Sequence, residues 1–569
     1  MTNPFNASYI PNIELTLEQK FKGHWRRLST EELTNKPLHR FCTGWRIEIP
    51  PASIRIEGVQ YLEIVVDAKF PNSQPRVFAP QAGSSFKWPH IEAEGKLCLR
   101  STRSSAAPGE RLFQHILWAH ELLSYSDIAI KREFEREFIS YWGQRVKTKH
   151  PNRKILSLIT PSMGSREVVY YTNPQNDQII LADNRSELVL WLGNRGTKVK
   201  DRDILPTQVV RLKRPWVPSD FPTFGNEALR YLQEEIGPDI FVPDRPCPLI
   251  FEAKTVTGDV FVAIIMHSAT KKELVKGFRD ISKVPDFLIR ASFGRNRVER
   301  CGVIRVDGSW VHGRGLDEAY SVTRTRSIAL IGCGSLGSSL LRLLAQSGVG
   351  SFTLVDHDEL SSANVSRHAL GMQAISKNKA QAMKGTILQD FPHIKVVTAY
   401  TNRFENLSIE ELEAISKVDL IISAGIDFDG DAILDEWRIG LSSPPAHLST
   451  WTEAHAIVGH AVLLLGHESL MKAFDETEQV LFRLTDWPEG SGSLVAEAGC
   501  GNMFQPFAAI DLQATVYLAS RLAIDFLLGQ VPQSCRRVWQ GDLAAVATKG
   551  GIPRKDFSSS RVVKELSWF

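Results

Sequence analysis

The chain has 569 residues, a formal net charge of +3, and 43% hydrophobic against 23% charged residues. This length is enough for three or four domains with separate cores, and so small a net charge gives no argument for a nucleic-acid partner. The seven cysteines form no C-x-x-C pair, so a structural zinc site is not expected.

Two features favour a cytoplasmic protein without a membrane anchor. The first ten residues lack the basic and apolar segments of a secretory signal, and unpaired cysteines suit a reducing compartment. The most apolar long segment, residues 510–529, contains Asp511, Arg521 and Asp525. Because these charges would be costly inside a bilayer, we expect a buried helix there and no membrane span.

Residues 1–150 are expected to form one α+β unit, with helices and short strands around an irregular loop. The loop after Cys98 is rich in Ser, Ala and Gly. In chain order, hydrophobic periodicity predicts a helix at 18–33, strands at 44–49 and 61–68, and helices at about 111–125 and 126–142.

Cys98 lies in the stretch Trp-Pro-His-Ile-Glu-Ala-Glu-Gly-Lys-Leu-Cys-Leu, with His90 eight residues before it. This stretch resembles the H-P-N…G-x-x-C-L signature of ubiquitin-conjugating enzymes, with His90 at the position of the family's Asn. The resemblance implies that Cys98 carries an acyl group as a thioester. His90 would then support the oxyanion through an imidazole N–H, or carry a proton. The alternative is a structural histidine and a buried cysteine in an unrelated fold.

Residues 151–310 form a second unit that gives little functional information. No nucleophile, base and orienting residue are grouped there, so we expect a mixed linker, a scaffold or a partner-binding module. A basic run at 198–213 lacks aromatic residues that could stack on bases, which favours a solvated face over nucleic-acid binding. The predicted elements are strands at 168–171, 178–182, 188–192 and 260–267, and a helix at 226–235.

Residues 311–569 begin with the pattern of a βαβ nucleotide-binding unit. An apolar strand at 327–332 leads into a turn with Gly332, Gly334 and Gly337. A helix and a second strand follow, and the strand ends in Asp356, 24 residues after Gly332. Such glycines let the backbone approach a phosphate at a helix N-terminus, but the pattern alone equally describes a nicotinamide or flavin enzyme. Further elements are predicted at 338–347, 352–355, 394–398, 420–423, 461–465 and 510–529.

Three polar residues after the second strand separate these readings. Asn364, Arg367 and Lys379 suit a site where a carboxylate attacks the α-phosphate of ATP, because the developing charge must be neutralised. A nicotinamide oxidoreductase has no need of this set. The alternative for Arg367 and Lys379 is a solvated helix face.

The stretch from Gly332 to Lys379 resembles the adenylation domains of ubiquitin-activating enzymes and of their bacterial ThiF-like relatives in thiamin and molybdopterin synthesis. The resemblance implies that ATP and Mg²⁺ bind here, and that the fold is Rossmann-like. Asp356 would bind ribose, whereas Asn364, Arg367 and Lys379 would engage the triphosphate. Asp427, one position displaced from the family's acidic residue, would bind Mg²⁺, with Asp429 as the reserve.

Cys500 lies in the segment Ala-Gly-Cys-Gly-Asn, shortly before the helix predicted at 510–529. In activating enzymes the acceptor cysteine precedes a comparable helix, so Cys500 is the predicted first thiol of a relay. A buried core cysteine is the alternative reading, and Cys535, next to two arginines, is a competing candidate. Cys333 is expected to pack under the glycine turn.

Together the resemblances predict an α/β and α+β multidomain protein. Its parts would be an N-terminal ubiquitin-conjugating-like domain (1–150), a middle mixed linker domain (151–310) and a C-terminal Rossmann-like adenylation domain (311–569). This order resembles bacterial fusion enzymes encoded beside cyclic-oligonucleotide synthases in antiphage CBASS operons.

By that resemblance the enzyme adenylates the C-terminus of a cGAS-like nucleotidyltransferase and passes it to Cys500 and then Cys98. It then conjugates that C-terminus to an amine on an unknown target, acting as a homodimer. The alternatives are a sulfur-carrier-protein adenylyltransferase and a non-catalytic nucleotide-dependent binding protein.

Overall fold

Among the residues that it describes, the computed structural model contains three large β-structures in succession along the chain, and two two-stranded sheets near the C-terminus. It describes residues 7–36, 41–50, 53–83, 86–101, 107–143, 153–161, 164–232, 240–488, 490–491, 493–496 and 503–554.

The first unit is an antiparallel sheet with two helices packed on one face. Its strands follow one another in the order β1-β2-β3-β4. Apolar residues of the two central strands, such as Trp45 and Leu62, share a core with Leu17 of the first helix and Leu112 of the third. In chain order the elements are α1 Ile10–Phe21, β1 Trp25–Arg27, α2 Thr30–Thr34, β2 Phe41–Glu48, β3 Tyr61–Asp67, β4 Arg76–Phe78, α3 Pro108–Leu123, α4 Asp127–Arg136 and α5 Phe138–Gly143.

The prediction of one helix at 18–33 is wrong, because the chain turns after Phe21. Lys22 and Gly23 have φ values of 45° and 85°, which end α1 in a left-handed turn. Strand β1 follows and pairs with β2, and Ser29 caps the short helix α2. Hydrophobic periodicity did not reveal the end of α1, because the apolar pattern continues past the turn and Lys22 is not a typical turn residue.

The middle unit is more regular than the mixed linker that the sequence predicted. Among its described residues, seven strands close into a barrel in the order β10-β11-β5-β7-β6-β8-β9. The predicted strand at 188–192 is wrong, because these residues belong to a helix capped by Asn184, whose side chain accepts the Glu187 N–H. The elements are β5 Ile155–Ser157, β6 Arg166–Thr172, β7 Ile179–Ala182, α6 Arg185–Asn194, β8 Ile204–Arg211, α7 Gly225–Leu229, β9 Cys247–Thr255, β10 Gly258–Met266, α8 Lys271–Leu274, α9 Asp286–Arg295 and β11 Glu299–Arg305.

Helix α5 joins the first two units through a shared core. The helix predicted at 126–142 is in fact two helices, α4 and α5, that separate at Glu137. Phe138 and Trp142 of α5 are buried in the same cluster as Phe251 of the barrel. Trp142 Nε1 also donates a hydrogen bond to the carbonyl oxygen of Cys301 on β11, at 2.9 Å. The first unit is therefore anchored to the barrel through this helix.

The third unit is a seven-stranded sheet in the order β14-β13-β12-β15-β16-β17-β21. The first five strands are parallel, and the last two are antiparallel. The elements are α10 Gly308–Val311, α11 Tyr320–Thr323, β12 Ser327–Ile331, α12 Ser335–Gln346, β13 Ser351–Val355, α13 Lys379–Asp390, β14 Val396–Tyr400, α14 Ile409–Ser416, β15 Leu420–Ala424, α15 Phe428–Ile439, β16 Ala446–Thr452, β17 Val458–Leu464, β18 Thr485–Asp486, β19 Val495–Ala496, β20 Met503–Phe504, α16 Ala509–Leu527, β21 Cys535–Gln540, α17 Leu543–Thr548 and β22 Ile552–Pro553.

Helices cover both faces of this sheet, as in a doubly wound α/β fold. Helices α12, α13 and α16 pack on one face, and α14 and α15 pack on the other. Because the carboxyl ends of parallel strands meet at one edge, the loops after β12, β13, β14 and β15 lie close together. Even α16, the longest helix, falls short: within the described residues, no helix has both the length and the hydrophobicity to span a bilayer.

Candidate active sites

The glycine turn after β12 has the geometry that the sequence predicted. Gly332 has a φ of 89°, and a Cβ there would lie 2.9 Å from the Ala424 carbonyl oxygen. A Cβ on Gly337 would lie only 1.9 Å from the carbonyl oxygen of Gly332, so the helix can approach the turn only with glycine at 337. Gly334 precedes α12 and has open space on its side-chain face, where it borders a cavity. The turn thus leaves backbone exposed at a helix N-terminus, where anions bind.

Asp356 and Cys333 complete the turn. The Asp356 carboxylate accepts the N–H of Cys333 at 2.6 Å and the N–H of Asp358 at 2.8 Å. The Cys333 side chain is fully buried, and this burial raises its pKa well above the usual value. Cys333 therefore packs under the turn, as expected, and is not a nucleophile.

A cavity of about 320 Å³ lies at the carboxyl ends of β12, β13, β14 and β15. Lys379, at the start of α13, borders the cavity, and its Nζ donates to Oδ2 of Asp358 at 2.9 Å. Burial acts to raise the pKa of Asp358, but the hydrogen bond and positive charge of Lys379 hold it below its usual value. Asp358 is therefore ionised at neutral pH. The predicted residues that line this cavity are Gly332, Gly334, Asp356, Lys379 and Asp427.

Asp427 is placed where a hard cation could bind. Its Oδ1 caps α15 by accepting the Gly430 N–H at 2.8 Å, and its Oδ2 lies 3.8 Å from Nη1 of Arg403. The residue is exposed to the cavity, so one carboxylate oxygen can bind an ion of the kind that prefers oxygen ligands, such as Mg²⁺. Asp429, the reserve candidate, does not line the cavity.

Asn364 and Arg367 lie away from this cavity. Oδ1 of Asn364 accepts the Ser361 N–H at 3.1 Å and so caps a short 3₁₀ turn. The Arg367 guanidinium lies over the Phe507 ring, 5.1 Å from its centre. The roles of both residues toward a triphosphate stay predictions. Arg403, which the sequence analysis missed, does line the cavity, and its position just after β14 was the signal available.

Two further cavities continue from the cavity at the glycine turn, which we call the nucleotide cavity because its predicted residues are those expected to bind ATP. The second, of about 610 Å³, shares Gly334 and the segment 424–426 with it. The third, of about 690 Å³, shares Trp451 and Gln505 with the second and reaches Trp487. The second cavity has an aromatic lining, formed by Phe428, Trp451, Phe474 and Phe507. We call the second and third cavities together the aromatic groove.

Asp431 borders the aromatic groove and is almost fully buried. Burial is the main reason why its pKa is raised to about 7, despite a hydrogen bond from Ser423 at 2.7 Å. The nearby carboxylates of Asp435 and Asp427 raise it further. This acid is thus partly protonated near neutral pH.

Cys500 lies outside the described residues. The short strands on either side of it, β19 and β20, pair with each other through Ala496 and Met503. Gln505, close after this segment, lines the aromatic groove. Cys535 lies on β21, where it pairs with Leu463 and is half-buried.

Cys98 lies on an exposed loop whose backbone is fixed against His90. The Cys98 N–H donates to the His90 carbonyl oxygen at 2.8 Å. The His90 N–H donates to the Tyr141 hydroxyl oxygen at 2.7 Å, and His90 has a φ of 58°. Gly95 has a φ of 78° and touches the backbone of Ala79, so the glycine of the signature is needed for the turn before the cysteine.

The His90 ring lies between the thiol and two carboxylates. Its Nε2 is 3.0 Å from Oε2 of Glu133, and its Nδ1 is 3.4 Å from Oε2 of Glu137. Burial acts to lower the pKa of His90. Hydrogen bonds with Cys98 and Glu133, together with the charge of Glu137, outweigh it and raise the pKa. Such a histidine can hold a proton next to a reactive sulfur.

Glu133, Glu137 and Tyr141 were missed by the sequence analysis. All three lie in the segment predicted as a helix at 126–142, with a spacing of four residues that places them on one face. The spacing could be read from the sequence, but it did not show that these three side chains contact His90.

Comparisons with known proteins identify both ends of the chain. Residues 28–151 match the model of Prokaryotic E2 family B, and residues 314–447 match that of the ThiF family. The predicted conjugating-like and adenylation domains, and the mixed α/β multidomain fold class, are thereby confirmed. The chain combines an activating-type and a conjugating-type domain in one polypeptide.

Known proteins that are similar to this chain include enzymes named for ubiquitin-like transfer or activation. The ATP-dependent ubiquitin transferase-like protein Cap2 of Pseudomonas aeruginosa is 24% identical over 401 residues, which cover 66% of this chain and 68% of the relative. Ubiquitin-like modifier-activating enzyme 5 of Culex quinquefasciatus is 28% identical over 158 residues, covering 26% of this chain and 38% of the relative. A crystal structure of E. coli MccB with ATP has 14% identity and a TM-score of 0.28, covering 39% of this chain and 65% of that one.

Proposed function

We propose that this enzyme activates a protein C-terminus with ATP, holds it as a thioester, and transfers it to an amine. The observation that carries the proposal is the presence of two sites in one chain. One is a charged cavity at a glycine turn, and the other is an exposed thiol in contact with His90. An adenylation site alone would not need the second, and a conjugating site alone would not need the first.

Activation would take place in the nucleotide cavity. A carboxylate oxygen of the acyl protein attacks the α-phosphorus of ATP, the bond to the β-phosphate oxygen breaks, and pyrophosphate leaves. The turn at Gly332 and Gly334 offers backbone N–H groups to the phosphates, and Lys379 offers a positive charge. Asp427 would hold Mg²⁺, whose charge offsets that of the phosphates. Asp356, which also lines this cavity, would bind the ribose hydroxyls, although each of its carboxylate oxygens already accepts one backbone N–H.

The aromatic groove would hold the C-terminal segment of the acyl protein. It begins at Gly334, beside the nucleotide cavity, and leads to Gln505, close to the segment that contains Cys500. The Cys500 thiolate would attack the acyl carbonyl and release AMP, and the Cys98 thiolate would then displace Cys500. Each exchange breaks one C–O or C–S bond and forms one C–S bond, so no oxidant is needed.

We propose as the acyl protein a cGAS-like nucleotidyltransferase, and as the setting antiviral defence in the cytoplasm. The support is the similarity to Cap2 over two thirds of both chains, together with the order of the domains. A homodimer through the third unit follows from the same resemblance. The amine-bearing target is open.

A sulfur-carrier-protein adenylyltransferase would explain the third unit and leave Cys98 idle. The contact between Cys98 and His90, supported by two carboxylates, favours the thioester relay.

The test uses the full chain with a cGAS-like nucleotidyltransferase as the acyl protein. ATP–pyrophosphate exchange should depend on that protein and disappear when its last residue is removed. A reductant-sensitive adduct should form on Cys98. Exchange without any adduct on Cys98 would favour the sulfur-carrier alternative, and absence of both would overturn the proposal.

A further inference from the structure

Two glutamates enclose the His90 ring from the segment where α4 ends and α5 begins. Glu133 Oε2 faces Nε2 at 3.0 Å, and Glu137 Oε2 faces Nδ1 at 3.4 Å. The His90 side chain is only 11% exposed, so water competes little for these contacts. The carboxylates are themselves held by Arg136, whose Nη2 lies 2.6 Å from Glu133 and 3.4 Å from Glu137.

This arrangement decides between the two roles that an imidazole at this position could have. A neutral imidazole carries one N–H, whereas an imidazolium carries two. Two carboxylates, one at each ring nitrogen, therefore stabilise the doubly protonated ring of His90. Nε2 is hydrogen-bonded to Glu133, and the ring also has a hydrogen bond with the Cys98 side chain and lies beside the charge of Glu137. His90 is therefore poorly placed to act as a simple substitute for an amide donor to an oxyanion, but it can pass a proton to the Cys98 sulfur.

The backbone around His90 is fixed as well. The Tyr141 hydroxyl oxygen accepts the His90 N–H, and the His90 carbonyl accepts the Cys98 N–H. Burial raises the pKa of Tyr141 to about 12, so its hydroxyl stays protonated across the working pH range. Ring and thiol are thus kept in contact by α5 on one side and the cysteine loop on the other.

We propose that Glu133 and Glu137 are positioning residues that keep His90 as the proton carrier for discharge of Cys98. This rests on the proposed function and deepens it. The amine nitrogen attacks the thioester carbonyl, and the C–S bond breaks as the C–N bond forms. The His90 imidazolium gives its proton to the departing Cys98 sulfur. The neutral ring then takes the proton that the new amide nitrogen loses, so one proton passes from amine to thiol in total.

A bound cation is the competing use of this cluster. One atom from each of His90, Glu133 and Glu137 lies within 4.8 Å of the others, as metal ligands would. The guanidinium of Arg136 already supplies positive charge to both carboxylates, which favours the hydrogen-bonded arrangement.

The test compares Glu133→Gln, Glu137→Gln and the double variant with the parent chain. Glu135→Gln is the matched control, because Glu135 lies on the same helix but faces Arg214. Titration of ¹³C-labelled His90 by NMR reports its protonation directly, with a His90→Gln variant assigning the signal. Single-turnover discharge of the Cys98 thioester to lysine is measured over the same pH range.

The midpoint of the His90 titration, and the pH step in discharge, should both move to lower pH in each single variant and further in the double. The control should leave both unchanged. A His90 midpoint that does not move overturns the positioning role, even if discharge proceeds. A moved midpoint with no thioester at all instead removes the proposed function and leaves the positioning intact. Discharge that requires added Zn²⁺ and stops with a chelator would assign the cluster to a metal and overturn the proposal.

Discussion

Nζ of Lys379 lies 2.9 Å from Oδ2 of Asp358, so the lysine that borders the nucleotide cavity is held by a carboxylate before any phosphate arrives. The side chain is about nine-tenths buried, whereas Asp358 is half exposed. Binding of ATP can therefore redirect an already desolvated ammonium group, which limits the cost of organising the site.

Lys379→Ala should abolish formation of the acyl adenylate. Loss of one charged donor in such a site costs about 2.7–4 kcal/mol in the transition state, or roughly 10²–10³-fold in rate. Arg367→Ala is predicted to act in the same direction. ATP–pyrophosphate exchange measures both, with the exposed Lys417→Ala as control. Unchanged exchange in both variants would remove the nucleotide assignment.

Two glycine substitutions should separate folding of the turn from binding of the nucleotide. In Gly337→Ala the new Cβ would lie 1.9 Å from a backbone oxygen, so we expect a lower Tm together with loss of ATP binding. In Gly334→Ala the Cβ meets no atom within 4 Å but enters the cavity, so Tm should hold while the Kd for ATP rises. Calorimetry and nucleotide titration check the pair. Equal Kd values for Gly334→Ala and the parent would place the phosphates elsewhere.

The raised pKa of Asp431 predicts that the free energy of unfolding depends on pH. Its pKa is raised from 3.8 to about 7 in the folded chain, so folding favours the protonated acid. The stability it contributes is complete below its unfolded pKa and is lost as the pH rises through the folded pKa. Above pH 7 the loss is on the order of 4 kcal/mol.

Asp431→Asn keeps the hydrogen bond from Ser423 and removes the titration. The Tm of this variant should exceed that of the parent by a margin that widens from pH 5 to pH 7 and is constant above pH 7. Thermal unfolding at four or five pH values measures the margin. A margin that does not depend on pH would show that Asp431 is ionised in the fold.

The order of the two thiols is testable by trapping. Cys500→Ala should still make the adenylate but form no thioester, and Cys98→Ala should accumulate the thioester on Cys500. The reason is that the nucleotide cavity and the segment containing Cys500 belong to the same unit. Non-reducing gels and peptide mass spectrometry identify the charged residue. If Cys500→Ala still charges Cys98 at the parent rate, Cys535 becomes the better candidate or the transfer is direct.

His90→Ala should leave Cys98 chargeable but slow its discharge to an amine by ~10²–10³-fold, the scale of one lost donor. Because we propose that His90 carries a proton, His90→Asn should recover little of this rate, and recovery of a large part would favour an amide donor instead. Asn also tolerates the positive φ at this position, so it serves as a control for folding. Discharge of the Ala variant at the parent rate would make His90 structural.

Local patterns predicted the third unit well and the middle unit poorly. The turn at Gly332, the apolar strands and Asp356 are close in sequence, and a parallel sheet brings such segments to one edge by rule. The barrel instead depends on pairings between distant strands, such as β10 with β11, that no local pattern specifies. The error at residues 188–192 has a different cause, since a short apolar run fits a strand or a helix equally and the cap at Asn184 was not recognised.

The residues of the candidate sites also divide into those that local motifs predicted and those that depend on tertiary packing. Gly334, Lys379 and Asp427 were predicted from motifs and line one cavity. Arg403 was missed because it belongs to no motif and reaches the cavity only through sheet order. Glu133 was missed because it is 43 residues from His90, and a helix's packing partner cannot be read from its own periodicity.

Helix α5 contacts two units at once, since Tyr141 accepts a hydrogen bond from His90 while Phe138 and Trp142 pack into the barrel. A protein engineer who excised the conjugating-type unit after residue 143 would leave two large aromatic rings facing water. Replacing the conjugating-type unit with the equivalent unit of a relative would likewise require apolar side chains that pack against Phe251. In recombination and in design, the first two units are one exchangeable part, and Cys98 is inherited together with the barrel.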